Sequence, residues 1–221
     1  MAGKKDVVAV IAAYNEEKYI ADVIKNASRF LDIIIVVNDG SKDSTSAIAR
    51  RNGAIVIDHI INLGKGAAIR TGCDYALGIG AQKIILIDAD GQHDPKDIPK
   101  FIESLKDNDI TFGYRTFNKK MPLVFRLGNT AITQTARILF HVSLNDTQCG
   151  YRAFKADAYK KVRWQASDYS MESEMIANVG KARLKYTQIP VETIYAEKYK
   201  GTTIFDGMKI MMNMIFWRLR R

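Results

Sequence analysis

The sequence predicts an α/β protein with a mainly parallel central sheet flanked by helices. Through the first half of the chain, short apolar runs rich in Val and Ile alternate with stretches of helical periodicity. The runs are apolar at nearly every position, as expected of parallel strands that helices cover on both faces. Polar residues follow these runs directly, at the strand ends where such sheets bind their ligands.

The first 115 residues alternate strictly between predicted strands and predicted helices. The predicted strands are 7–13, 32–39, 54–59, 83–90 and 109–115. The predicted helices between them are 16–30, 41–53, 66–80 and 95–107. Ser41 or Asp43 caps the second helix, and Asp94 caps the fourth, because Pro95 suits a first helical position.

The second half is less regular. We predict an apolar helix at 121–140, a helix around 170–179, a strand within 185–197 and an apolar, then basic, helix at 206–221. The chain has four prolines, no Ser-rich linker and no internal repeat. The sequence therefore predicts one domain over 1–221, with two functional halves that divide near residue 120.

Composition sets limits without choosing a function. The chain is 47% hydrophobic and 26% charged, typical of a soluble globular protein. A net charge of +9 suits nucleic acid, an anionic membrane or a phosphorylated substrate equally. Cys73 and Cys149 are far apart and are expected to be reduced thiols of a cytosolic protein. No run reaches the roughly 20 apolar residues of a membrane span, and 7–13 is a predicted strand, not a signal peptide.

The segment "LIDADGQHDP" places Asp88 and Asp90 at the end of a predicted strand. Two carboxylates at this spacing repel each other unless a cation offsets their charge. Carboxylate and amide oxygens suit Mg²⁺ or Mn²⁺, with Gln92 as a third ligand. A divalent ion held by few protein carboxylates usually also holds substrate phosphates. The segment therefore predicts a diphosphate partner.

Other interpretations of this segment are weaker. An ordinary strand-to-helix turn explains Asp94, but not two carboxylates at a strand end. An EF-hand is excluded, because His93 stands at its glycine position and Pro99 at its glutamate position. His93 has no second His or Cys at ligand spacing, so we expect it to hydrogen-bond within the loop.

The other strand ends supply further candidates. Asp39 ends a buried strand, where a carboxylate can accept hydrogen bonds from a base or a ribose. The glycines near Lys65 match neither GxGxxG nor a Walker A loop, so this segment either packs tightly or faces an anion. Arg115 lies at the same predicted edge, and a second phosphate fits between it and Arg126.

These segments, taken in order, resemble the family 2 glycosyltransferases. The matching segments are "AAYNEE", "VNDGSKDST", "NLGKGAAIRTG", "DADGQHDP", "GYR", "DTQCGYRAF" and "MESEMI". The nearest branch is that of dolichol-phosphate mannose synthase and the polyprenyl-phosphate glycosyltransferases. The resemblance spans roughly residues 7 to 205. It implies a GT-A fold, a nucleotide-sugar donor, a divalent metal (Mg²⁺ or Mn²⁺) and inversion at the sugar carbon.

The resemblance also implies roles for individual residues. The nucleotide pocket would contain Ala12, Tyr14, Glu16, Val37 and Asp39, and the sugar diphosphate would meet Asp88, Ala89 and Asp90. Glu174 and Lys198 would also bind the donor. Metal ligands would be Asp88, Asp90 and Gln92, the last two most firmly, and Arg115 and Arg126 would hold the acceptor phosphate. Residues 1–120 would then bind the nucleotide sugar and 121–205 the acceptor. Two departures, Ala12 for the usual proline and "GYR" for the commoner "GSR", leave donor and acceptor detail open.

Three functional hypotheses remain at this point. The first is transfer of a hexose from GDP-mannose or a UDP-sugar to a polyprenyl or dolichyl phosphate at the cytosolic face of a membrane. The second keeps the fold but uses a sugar or protein hydroxyl, with Asp146 or Glu174 as the base. The third, a basic nucleic-acid binder, finds aromatics among Lys and Arg only in "YAEKYKGTT".

The C-terminal helix at 206–221 is open to two interpretations. It is either a core helix or an interface between copies of the chain in a homodimer. Alternatively it lies in peripheral contact with a membrane, with Trp217 at the boundary and Arg218, Arg220 and Arg221 facing anionic lipid.

Overall fold

The computed structural model describes residues 6–115, 123–192 and 204–219. Within them, seven strands form one sheet in the order β3-β2-β1-β4-β6-β5-β7. The strands are β1 Val7–Ala13, β2 Ile33–Asn38, β3 Ile55–Asp58, β4 Lys83–Leu86, β5 Ile110–Arg115, β6 Arg152–Lys155 and β7 Tyr186–Val191. The helices are α1 Ile20–Ala27, α2 Thr45–Arg51, α3 Lys65–Gly78, α4 Ile98–Ser104, α5 Leu123–Phe140, α6 Ala156–Val162, α7 Met171–Ala182 and α8 Ile204–Leu219.

The predicted mainly parallel α/β sheet is confirmed. Strand β1 is parallel to both β2 and β4, β2 is parallel to β3, and β5 is parallel to β7. The exception is β6, which runs antiparallel between β4 and β5. Because β6 runs backwards, it brings the chain just before Arg152 beside the carboxyl end of β4.

The core lies on both faces of the sheet, as the apolar strands require. On β1, Val8 and Val10 face a cluster that includes residues of α3, α5, α6, α7 and α8. Val7, Ala9 and Ile11 face the other cluster, which includes residues of α1, α2 and α4. Successive strand residues point to opposite faces, so a strand apolar at every position must be covered twice.

Several boundaries differ from the sequence-based prediction by a few residues, and three of these differences lie near the candidate site. Helix α1 begins at Ile20 rather than at 16, because the preceding turn, in which Asn15 has φ of +54°, bonds to the loop after β2. Strand β4 ends at Leu86, short of the aspartates. A 3₁₀ turn, Pro95–Asp97, precedes α4, and Asp94 accepts a hydrogen bond from Lys96 N–H as the predicted cap.

Candidate active site

The loops after β1 and β2 hold each other at the carboxyl edge of the sheet. The Asn15 N–H donates to Ser41 Oγ at 2.9 Å, and the Lys42 N–H returns a bond to Asn15 Oδ1 at 2.9 Å. The Glu16 N–H donates to Thr45 Oγ1 at 2.8 Å. These reciprocal bonds place Tyr14 and Glu16 in a fixed loop at this edge, with the Tyr14 side chain exposed.

The other predicted nucleotide-pocket residues lie near these loops. Ala12 and Val37 are direct neighbours across β1 and β2. The Val37 side chain is buried in the core beside Gly72, and Ala89 is also buried. Their assignments to the donor site stay predictions.

Asp39 organises the loop after β3. Its buried carboxylate accepts hydrogen bonds from the Leu63 N–H at 2.9 Å and the Gly64 N–H at 2.8 Å. His59 Nδ1 lies 2.7 Å from Asp39 Oδ1, and His59 Nε2 lies 3.0 Å from Thr71 Oγ1. This carboxylate therefore holds the loop that leads into α3. Its predicted contact with a base or a ribose remains a prediction.

Lys65, at the start of α3, connects two carboxylates from distant parts of the chain. Its Nζ lies 2.9 Å from Asp88 Oδ1 and 3.1 Å from Glu172 Oε1. Burial lowers the pKa of Lys65, but the negative charges of Asp88 and Glu172 outweigh this and raise it above its usual range. Burial raises the pKa of Asp88, and the charge of Lys65 outweighs that and lowers it to about 2. Both groups are therefore charged at neutral pH.

Asp90 differs from Asp88 in the direction of its pKa shift. Burial, and then the charge of Asp88, raise the pKa of Asp90 above its usual range. Its carboxylate accepts hydrogen bonds from the Gln92 N–H at 3.0 Å and from Gln92 Nε2 at 2.8 Å. Asp90 and Gln92 thus lie side by side with the amide nitrogen of Gln92 facing the carboxylate, and a rotation of that amide would turn its oxygen towards a shared cation.

The Asp90 pair suits a divalent cation. Within residues 6–115, 123–192 and 204–219, no three side chains of His, Cys, Asp or Glu are placed to hold a metal ion together. A carboxylate and an amide oxygen are hard ligands that suit Mg²⁺ or Mn²⁺, and such ions take their other ligands from substrate phosphates and water. The like charge of Asp88, which raises the pKa of Asp90, is also what a cation would offset. The residues therefore fit the predicted metal.

His93 hydrogen-bonds within the loop, as predicted. The Asp88 N–H donates to His93 Nδ1 at 3.2 Å, which leaves the other ring nitrogen, 3.5 Å from Asp88 Oδ2, to carry a proton. The ring stacks on Tyr151 with centroids 4.8 Å apart, and burial lowers the pKa of His93. A neutral His93 at neutral pH thus supports the Asp88 loop.

Only some of the residues predicted to bind the acceptor or the donor lie within the described part of the chain. Arg115, at the end of β5, pairs with Asp146 through Nε at 2.6 Å and through its second terminal nitrogen at 3.1 Å. Asp146 is buried, so this two-point pair fixes the plane of the guanidinium. Arg126 belongs to α5, but its side chain lies outside the described part of the chain, and Lys198 lies outside the described residues altogether. Their roles stay predictions.

Glu174, in the first turn of α7, already holds two backbone N–H groups, and its predicted role in donor binding stays a prediction. Its carboxylate accepts the Gln165 N–H at 3.0 Å and the Ala166 N–H at 2.8 Å, and so holds a loop. Glu172, which the sequence did not single out, faces Lys65 instead. The motif "MESEMI" contains both glutamates, and residues two apart on a helix point in different directions.

Buried Arg152 is a second group to which the sequence assigned no role. Its guanidinium donates to the carbonyl oxygens of Cys149 at 2.9 Å, Glu172 at 3.0 Å and Thr147 at 2.8 Å. Burial lowers the pKa of Arg152. The arginine joins the segment beside Asp88 to the first turn of α7, and therefore positions Glu172.

A known protein family matches most of the chain. The family model "Glycosyl transferase family 2" matches residues 8–163. The chain belongs to glycosyltransferase family 2. This family 2 chain is 33% identical to the UDP-N-acetylglucosamine–dolichyl-phosphate N-acetylglucosaminyltransferase of Methanococcus voltae, over 97% of each protein. It is 28% identical to the dolichyl-phosphate hexose transferase of Haloferax volcanii, over 91% of this chain and 87% of that one.

The fold also has solved counterparts. Glucosyl-3-phosphoglycerate synthase from Mycobacterium tuberculosis, in complex with Mn²⁺, UDP-glucose and phosphoglyceric acid, superimposes with a TM-score of 0.74 at 18% identity. The match covers 97% of this chain and 78% of the synthase. The predicted GT-A fold is thereby confirmed, and the family model confirms the predicted glycosyltransferase class.

Proposed function

We propose that this glycosyltransferase moves a hexose from a nucleotide sugar, GDP-mannose or a UDP-sugar, to a polyprenyl or dolichyl phosphate. The observation that carries the proposal is the carboxylate pair at the end of β4. Lys65 offsets Asp88, whereas burial and Asp88 leave Asp90 with a raised pKa. A site of this kind suits a cation together with a diphosphate. Two relatives that match most of the chain carry names of dolichyl-phosphate transferases.

The chemistry needs little proton transfer from the protein. A phosphate monoester has a second pKa of about 6, so the acceptor is already anionic near pH 7. It can attack the anomeric carbon from the face opposite the leaving group, which inverts that carbon. The engagement of Asp146 by Arg115, and of Glu174 by two backbone N–H groups, supports a mechanism without a carboxylate base. With a hydroxyl acceptor, Asp146 or Glu174 would have to leave these hydrogen bonds in order to act as the base.

The enzyme's main task is then to hold two anionic groups in line. Asp90 and Gln92 would hold Mg²⁺ or Mn²⁺, which when bound stabilises the charge on the departing nucleoside diphosphate. Arg115, fixed by Asp146, and Arg126 would hold the acceptor phosphate, since guanidinium donors match phosphate oxygens. Asp88, with Lys65, would orient the donor.

We also place the enzyme in peripheral contact with the cytosolic face of a membrane. None of the helices in the described part of the chain combines the length and apolarity that a bilayer span requires. A lipid-linked acceptor would instead be met through α8, whose outer face carries exposed apolar side chains. Membership of a glycosyltransferase family favours this interpretation over the nucleic-acid binder.

A transfer assay tests the proposal. The purified chain is incubated with radiolabelled GDP-mannose, UDP-glucose or UDP-N-acetylglucosamine, Mn²⁺ or Mg²⁺, and a short-chain polyprenyl phosphate. We expect a lipid-extractable product with one donor, lost on addition of EDTA and in Asp90→Ala. A water-soluble glycoside formed with an added alcohol, and no lipid product with any donor, would instead support the hydroxyl acceptor.

A further inference from the structure

Among the described residues, Glu172 has a buried carboxylate oxygen without a hydrogen-bond partner. The residue is 3% exposed and lies in the first turn of α7. Its Oε1 lies 3.1 Å from Lys65 Nζ, whereas its Oε2 contacts no donor in the part of the chain that the structure describes. A buried carboxylate oxygen left unpaired costs free energy, and native proteins usually satisfy such atoms with water or a ligand.

The surroundings of Glu172 are rigid. Its carbonyl oxygen accepts a hydrogen bond from Arg152 at 3.0 Å. At the start of α3, an added Cβ would lie 2.4 Å from Ser167 O at Gly64, and 2.5 Å from Ala166 O at Gly66. The start of α3 is therefore in close backbone contact with the loop that precedes α7. This contact fixes the backbone spacing between Lys65 and Glu172, while the Lys65 side chain keeps its own rotations.

The cluster opens to solvent on the side of the proposed donor diphosphate. The side chains of Lys65 and Asp88 are 22% and 26% exposed, whereas that of Glu172 is 4% exposed. Glu172 therefore lies one layer deeper than the carboxylate assigned to the donor. Oε2 itself is enclosed, so a ligand atom can reach it only after a neighbouring side chain moves aside. The Lys65 side chain can do so, because its four-carbon stem is flexible.

A sugar hydroxyl can bond to both Glu172 and Lys65. Its O–H can donate to a carboxylate oxygen while its own oxygen accepts from an ammonium group. The hexose of a nucleotide sugar is attached directly to the diphosphate, so its hydroxyls fall within reach of groups beside Asp88. We propose that Glu172 and Lys65 together bind a hydroxyl group of the transferred sugar and so help to select the donor sugar. This inference rests on the proposed function.

Binding measurements separate a sugar contact from a structural role. Isothermal titration in the presence of Mn²⁺ compares wild type with Glu172→Gln, using UDP-N-acetylglucosamine, UDP-glucose and GDP-mannose against UDP and GDP. We expect the affinity for the preferred nucleotide sugar to fall about tenfold or more in the variant, as for a lost hydrogen bond to a charged group. Affinity for the nucleoside diphosphate alone should change by less than about twofold, since no sugar is present to make this bond.

Deoxy donors provide a readout that needs no mutation. Removing the relevant hydroxyl from the sugar should weaken binding to wild type about as much as Glu172→Gln does, and should cost nothing further in the variant. Equal losses for nucleotide sugar and nucleoside diphosphate, or no loss for either, would overturn the inference.

Glu174→Gln is the matched comparison, because it makes the same change two residues away. If this variant rather than Glu172→Gln loses the preference for the sugar nucleotide, the sugar contact belongs to Glu174 and our inference is wrong. Absence of nucleotide-sugar binding to wild type would reject the proposed function as well. Sugar-nucleotide binding unaffected by Glu172→Gln would reject the inference alone.

Discussion

Gly150 stands where any side chain would collide with Asp88. A Cβ at this position would lie 2.6 Å from Asp88 Oδ2 and 2.8 Å from Oδ1. Strand β6 runs antiparallel to β4, and this reversal places residue 150 against the carboxylate. The requirement for glycine here is thus a requirement of the site rather than of backbone conformation.

Gly150→Ala should therefore impair donor use more than stability. The Asp88 side chain can rotate away from the new methyl group, but it then leaves its 2.9 Å contact with Lys65. We expect kcat/KM for the donor to fall about 100-fold, as for a catalytic group displaced by about 1 Å. The transfer assay and thermal unfolding, measured on the same preparation, check this.

Gly78→Ala is the control for this prediction. It makes the same substitution at the end of α3, where no atom of the described residues lies within 4 Å of the added Cβ. Activity should be unchanged, and stability should rise by up to about 1 kcal/mol from helix propensity. Full activity in Gly150→Ala would show that Asp88 does not need its present position.

At the scale of elements, the parallel half of the sheet was predictable and β6 was not. Strand 7–13 was predicted at its observed bounds because both of its faces are buried, which leaves a continuous apolar run. Strand β6 has only four residues, and its apolar and polar residues do not alternate clearly. Helix α6 follows it without a loop. Short antiparallel insertions depend on tertiary pairing that local sequence does not encode.

The same contrast holds within the candidate site. Asp88 and Asp90 follow a strand that the sequence identified, so their place at the sheet edge could be deduced. Lys65 and Glu172 meet only because α3 and α7 pack on the same face of the sheet, and the glycines beside Lys65 fitted a tight loop equally well. The choice between Glu172 and Glu174 depends on side-chain direction, which a motif match alone does not give.

Asp74 joins α3 to α6 and makes the contact between these helices pH-dependent. Its Oδ1 accepts from Tyr159 at 2.7 Å, and its Oδ2 accepts from Arg163 at 2.7 Å. Burial raises the pKa of Asp74, but the hydrogen bonds from Arg163 and Tyr159 outweigh it and lower the pKa below its usual range. The ionised form is therefore the one that stabilises the folded state.

Asp74→Asn should lower the free energy of unfolding at pH 7 and have a smaller effect in acid. The unfolded pKa of Asp is about 3.9, so the stabilisation is fully present above this pH and is lost as the pH falls through the lower folded pKa. Because the pair is partly exposed, we expect about 1 kcal/mol or less. Urea unfolding at pH 7 and pH 3 measures the difference.

The exposed pair of Asp157 with Lys160 provides the control. Asp157→Asn should have a smaller effect at pH 7 than Asp74→Asn, since the carboxylate of Asp157 pairs with Lys160 of the same helix rather than joining two helices. If the two variants lose equal stability, or if the Asp74→Asn loss is the same at pH 3, the carboxylate of Asp74 is not what links the helices.

At the scale of the whole molecule, α8 has one buried and one exposed apolar face. Ile210 and Met214 belong to the core, whereas Met212, Ile215, Phe216 and Leu219 are exposed. The helix is thus part of the core, as one interpretation of the sequence held, and it also presents the apolar surface that the other required. Arg218 lies beside this surface and is itself exposed. An exposed apolar face with an adjacent cation suits the boundary of an anionic bilayer.

Replacing Ile215 and Phe216 together by Ser should weaken vesicle binding without unfolding the protein. Burying one such side chain contributes about 1.5–3 kcal/mol, so the partition coefficient measured by co-sedimentation with phosphatidylglycerol-containing vesicles should fall at least about tenfold. Ile79→Ser, an exposed isoleucine just after α3, is the control and should bind as wild type does. Added salt should weaken the binding of the wild-type protein to these vesicles, because Arg218 contributes through its charge. If light scattering instead shows that the double variant converts a dimer to a monomer while vesicle binding persists, then α8 joins two copies of the chain and another surface faces the lipid.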